Sequence, residues 1–126
     1  MANKAGQNVN EMTFANVPGL PKCVLGSVQN GDPTKGLSIV FSKIAPGCVI
    51  PWQWHTANEH LMMVSGVARI AMKDGKSLTL RRGGFAQMPS RHVHQFRCEG
   101  ACSLFVYSDA AFDIHYVDAQ GNEILL

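Results

Sequence analysis

The sequence predicts an all-β domain of the antiparallel sandwich or jelly-roll barrel type. Three observations carry that expectation. Runs of β-branched, aromatic and aliphatic residues recur about every eight to ten residues. The breaks between them are short and rich in Gly, Pro, Asp and Asn, the residues that turns require. Helix signals are scarce, so the strands have only one another to pack against. A chain of 126 residues suits one domain with a single core.

The elements follow in order. Residues 1–12, MANKAGQNVNEM, are polar and read as a loose arm, with strand addition to a partner subunit as the alternative; residues 13–126 read as the domain. KCVLGSVQ and LSIVFSKI are separated by NGDPTKG. CVIPWQW comes after APG, and HLMMVSG after HTAN. VARIAMK and SLTLRR flank KDGK, where Asp74-Gly75 is a strong hairpin signal because Gly accepts positive φ. GFAQMP, HVHQFRC, CSLFVYS and FDIHYVD complete ten short strands, divided by PSR, CEGA and SDAA. Strands this apolar should be packed on one face and half-covered on the other.

Hydrophobic residues make up 46% of the chain, charged residues 16%, and the net charge is +2. With no basic run and no Lys/Arg stripe beside aromatics, a nucleic-acid partner is not expected. No apolar run approaches the roughly 20 residues that span a bilayer, so no membrane partner is expected either. The polar opening lacks the hydrophobic region of a signal peptide. As given, the chain reads as cytoplasmic, or as periplasmic if an export leader has been removed.

Cys23, Cys48, Cys98 and Cys102 form no CxxC pair. The expectation is four reduced thiols acting as small apolar residues. A local disulfide between Cys98 and Cys102 across the EGA turn is the alternative.

The densest chemistry lies in PWQWHTANEH, Pro51 to His60. Strand alternation puts Gln53 and His55 on one face and Trp52 and Trp54 on the other. Only three residues separate His55 from Glu59, so a short turn would set them on neighbouring strands pointing the same way. His92, His94 and Phe96 share a face in HVHQF. Glu59 beside the apolar LMMV run is costly unless paired or bound to a metal. Imidazoles and a carboxylate converging in a barrel suit a divalent transition ion, although one strand His alone is more often structural.

The spacing resembles the cupin superfamily. Its first motif is matched by Gly47, CVIPW, Gln53, Trp54, His55, TAN, Glu59, HLMMVS and Gly66. Its second is matched by Gly83, GFAQM, Pro89, Ser90, Arg91, HV, His94, QFR and Cys98. Sixteen residues separate the motifs, as in small single-domain bacterial members, and FDIHYVD is similar to the last strand of some of them. There are three departures: Gln53 replaces the first metal His, Arg91 a Gly and Cys98 an Asn.

The resemblance implies a double-stranded β-helix, or jelly-roll barrel, paired as a homodimer. It implies a metal held by His55, Glu59 and His94, with Gln53 as a weaker fourth donor. Two His and one carboxylate are the set that leaves open positions on non-haem Fe(II); Mn(II) suits it too, with Zn or Ni as alternatives. The expected function is a metal-dependent enzyme of dioxygenase, isomerase or lyase type on a small organic substrate. A non-catalytic ligand- or metal-binding module and a metal-free ligand-binding cupin are the rivals. His92, at the pocket rim, is the candidate general base. His60 reads as structural or interfacial, His115 has no role, and Arg91 either faces an anionic substrate or caps a solvated turn. Leu61, Met63, Phe85, Phe96 and Phe105 read as pocket lining or core.

Overall fold

Two long strands organise the fold. A computed structural model of the chain describes residues 5–125. Its strands are β1 (Ala15–Asn16), β2 (Val24–Gly31), β3 (Ser38–Ile44), β4 (Val49–Trp54), β5 (Glu59–Met72), β6 (Ser77–Leu80), β7 (Phe85–Met88), β8 (His94–Ser108), β9 (His115–Val117) and β10 (Glu123–Ile124). Their pairings are antiparallel. The described residues contain no α-helix, only a 3-10 turn at Val9–Glu11. That turn lies in the expected N-terminal arm, whose residues 1–4 fall outside the described ones.

The sequence predicts separate strands for HLMMVSG and VARIAMK, and for HVHQFRC and CSLFVYS. The chain instead runs straight through each pair as β5 and β8. The interruption is a bend, not a turn: the β5–β8 register slips between Met63 and Val67. Gly66 sits there with φ +83°, and a Cβ on it would lie 2.1 Å from the Ala101 carbonyl oxygen. Only glycine fits that approach. The Asp74-Gly75 hairpin forms as expected, with Gly75 at φ +93° joining β5 to β6.

Because β5 and β8 bend together, their halves belong to two facing sheets. One runs β1-β2-β3, then the second half of β8, the first half of β5, and β7. The other runs β10-β9-β4, then the first half of β8, the second half of β5, and β6. This is the jelly-roll barrel, and the buried core, including Ile44, Leu61, Ile70, Phe96 and Leu104, lies between the sheets.

The expectation of four reduced thiols is overturned, and the Cys98–Cys102 alternative is present. Cys23 is bonded to Cys48 and Cys98 to Cys102, leaving none free. Cys23 ends up 5.8 Å from Cys48, Cα to Cα, because the Ala45 N–H donates to the Cys23 carbonyl just ahead of the turn into β4. Tertiary pairing creates that proximity; a separation of 25 residues does not announce it.

Candidate metal centre

The site begins with a fault in β4. Register with β8 pairs Ile50 with Phe96 and then Gln53 with His94, so β4 carries one extra residue at Pro51-Trp52. Pro51 has no N–H to donate, which suits a bulge. The bulge resets alternation: Ile50 faces inward, and so do Gln53 and His55. Without it, Gln53 would point out.

After β4 the chain turns through Thr56, Ala57 and Asn58. Asp109 holds this turn through the Asn58 N–H (2.9 Å) and the Asn58 amide (2.8 Å). Asp113 holds it through the Thr56 N–H (2.8 Å) and hydroxyl (2.6 Å). The Ser90 N–H, from the second motif, donates to Asn58 Oδ1 at 2.8 Å. His55 and Glu59 are thereby fixed on either side of the turn. His94 opens β8 beside Gln53.

His55, Glu59 and His94 converge. Each offers a ligand atom within 4.8 Å of the others', and all three are buried. His55 Nε2 lies 3.7 Å from Glu59 Oε1. The imidazoles are oriented from behind: Nδ1–H of His55 donates to the Asp113 carbonyl at 2.7 Å, and Nδ1–H of His94 to the His92 carbonyl at 2.9 Å. Each ring is left with its Nε2 lone pair free, the arrangement metal-binding histidines share. Burial holds the Glu59 carboxyl above its ordinary range and pulls the His94 imidazole down to about 4. Gln53 is 2% exposed, and its Oε1 has no hydrogen-bond partner. Two imidazole lone pairs, a buried carboxylate and an orphaned amide oxygen all lack a positive partner. This donor set fits a divalent ion.

The cavity they line measures about 210 Å³. Apart from these four and a few small polar residues its wall is aliphatic, with Phe96 and Phe112, and no Lys or Arg among the described residues lines it.

Other expected residues fall elsewhere. His92 precedes β8 and does not line the cavity; its carbonyl, not its ring, serves the site by orienting His94. Arg91 adopts φ +64°, as the motif glycine would, and its guanidinium lies 5.0 Å from the Trp54 ring centre instead of in the cavity. Leu61 and Phe96 line the cavity, but Phe85 is 59% exposed and Phe105 packs on Phe41 outside it. His115, read as idle, stacks on Trp54 at 3.9 Å and bonds Asp113 and Glu123. Asp113 and Phe112 were not singled out by sequence reasoning; an acid in FDIHYVD carries no local signal of its long-range partners.

Residues 40–108 match the family model of the cupin domain. An RmlC-like cupin from Shewanella frigidimarina NCIMB 400 superposes with a TM-score of 0.70 at 14% identity, over 86% of this chain and 92% of its own. A protein from Neisseria meningitidis is 27% identical over 67% of this chain and 81% of its own, with a TM-score of 0.57. A structure of DMSP lyases matches with a TM-score of 0.70 at 17% identity, over 86% of this chain and 63% of its own. No curated protein matches the sequence.

Proposed function

The chain belongs to the cupin domain family, and from that premise we propose that it holds one divalent transition-metal ion, Fe(II) or Mn(II), and acts as an enzyme on a small organic substrate. One observation carries this reading: three buried ligand atoms lie within 4.8 Å of one another, with both imidazoles oriented by carbonyls on Nδ1. His55, Glu59 and His94 would hold the ion, with Gln53 Oε1 beside them. When bound, such an ion supplies Lewis-acid or redox chemistry at positions the protein leaves open. The chain's own residues do the rest. Asp113 and His92 fix the imidazoles through their carbonyls, Glu59 supplies negative charge, and the aliphatic wall excludes water from the reacting end. Dioxygenase, isomerase and lyase chemistries all suit this site. The similarity to DMSP lyases favours none of them, because at 17% identity it speaks for the fold alone.

The test is metal analysis of protein purified without a chelating column. We expect about one Fe or Mn per chain, lost in Glu59→Ala and His94→Ala variants that still show the wild-type circular dichroism. No bound metal, and no uptake of Fe(II), Mn(II) or Zn(II) on titration, would overturn it. A non-catalytic binding module is the second reading, and the uncharged Gln53 in place of an imidazole favours it. Metal retained without turnover of any small substrate, under O₂ or without it, would select that reading.

The two disulfides favour an oxidising compartment over the cytoplasm. Thiol counting on unfolded, unreduced protein should find none. Four thiols in protein purified from its native compartment would sink that placement. No helix among the described residues is long and apolar enough to cross a membrane.

A further inference from the structure

The cavity wall is graded, and the gradient specifies what it can hold. In the first sheet, Ser38, Ser108 and Glu59 are direct neighbours on β3, β8 and β5. The next inward rung of the same strands is Val40, Val106 and Leu61. In the second sheet, Gln53 pairs with His94, and the next inward pair is Ile50 with Phe96. Each sheet therefore contributes a polar rung, and these two rungs meet at the candidate metal centre. Mostly apolar rungs follow on both sides, interrupted on β3 by Ser42.

Ser38 is 1% exposed and Ser108 3%, and both line the cavity. Each hydroxyl can donate one hydrogen bond and accept others. Among the described residues, no Lys or Arg lines the cavity. A carboxylate or phosphate set among the serines would be desolvated beside Glu59 and would have to take its counter-charge from the metal ion alone, with no cationic side chain among the described lining residues.

We propose that the cavity takes a small amphipathic molecule. Its apolar body lies along the aliphatic rungs, and an uncharged hydroxyl or carbonyl group is hydrogen-bonded by Ser38 and Ser108 beside Glu59. This deepens the metal-centre reading and rests on it for which end of the molecule reacts. The size follows from volume. A dry cavity of about 150 Å³ holds benzene, so 210 Å³ suits a molecule of about eight non-hydrogen atoms.

Benzyl alcohol, toluene and benzenesulfonate share a ring and differ in the group tested. Each is titrated into the protein as purified and followed by NMR, with metal content measured on the same samples. Benzyl alcohol should bind, and benzenesulfonate, a weakly coordinating anion, should bind at least tenfold more weakly. Ser38→Ala and Ser108→Ala should each lower benzyl alcohol affinity about fivefold, the worth of one hydrogen bond, and leave toluene affinity and metal content unchanged. Four results overturn the proposal: benzyl alcohol does not bind up to its solubility limit; the sulfonate binds as tightly as the alcohol; the serine variants change nothing; or they weaken toluene and alcohol alike, which marks the serines as structural. The two readings separate cleanly. Serine-dependent alcohol binding by protein that takes up no metal would sink the metal centre and keep this proposal. Full metal content with no serine dependence would do the reverse.

Discussion

At the scale of single residues, Gln53 decides most. It stands where a metal imidazole would stand, and it is buried with an unpartnered oxygen. If that oxygen is a fourth donor, Gln53→His should tighten binding of Zn(II) or Ni(II) about tenfold, roughly 1.4 kcal/mol, since imidazole is the stronger donor for late divalent ions. Gln53→Ala should weaken binding by a similar or smaller factor and leave His55, Glu59 and His94 holding the ion. Competition titrations against a chromogenic chelator read all three proteins side by side, and equal affinities would show that Gln53 is no ligand. The convergence of His55, Glu59 and His94 was legible in the sequence because motif spacing fixes it. What orients them was not. The bulge at Pro51-Trp52 and the carbonyls of Asp113 and His92 behind the two imidazoles exist only once strands distant in sequence are paired. The rim position expected of His92 failed to appear for a similar reason: alternation was extended two residues upstream of where β8 begins.

At the scale of elements, the short strand β9 ties the C-terminal ribbon to the candidate metal centre. His115 pairs with Trp54 across β4 and β9 and stacks on its ring. Its ring nitrogens bond Glu123 at 2.9 Å and Asp113 at 3.1 Å. The Glu123 bond foremost, then Asp113, raise the His115 pKa above its ordinary value against the pull of burial. A raised folded pKa means the folded state favours the protonated ring. The stabilisation is therefore complete below the unfolded value of about 6.5 and fades as pH rises through the higher folded value. Urea unfolding should show wild-type stability falling relative to His115→Gln as pH rises from 6 toward 9, with the two curves converging at the alkaline end. Parallel curves across that range would remove His115 from the account. Asp113 is the shared member, since its carboxylate grips Thr56 and His115 while its carbonyl holds His55. Sequence periodicity located most strands, because each alternates or runs apolar between turn residues. It divided β5 and β8 wrongly, because a bend at Gly66 and a turn at a glycine look alike until the close approach of Ala101 is seen. The two-residue strands β1 and β10 carry no pattern long enough to read.

At the scale of the whole molecule, the outer face of the first sheet remains to be covered. The ring of His60 stacks near Phe85 on one side and Tyr107 on the other, with centroids 5.9 and 5.5 Å apart. Met62 and Val64 flank them on β5, 36% and 38% exposed, and Phe85 is 59% exposed. Contiguous apolar surface of this kind is uncommon on a free monomer and marks an interface. The Phe14 ring covers the next part of the face by packing on Phe41. A second copy of the chain is the occupant we expect, because a patch on a sheet face can meet itself about a two-fold axis. A standard interface buries about 800 Å² per partner, roughly a ninth of the total surface of 7020 Å². Light scattering coupled to size exclusion should give twice 13.7 kDa at micromolar concentration. Phe85→Glu should shift the mass to that of a monomer while circular dichroism stays unchanged, since the side chain is already outside the core. Leu78→Glu makes the same change at a similarly exposed strand position in β6, on the opposite sheet, and should leave the dimer intact. A monomeric wild type would refute the dimer, and an equal response to both substitutions would place the contact somewhere other than this face.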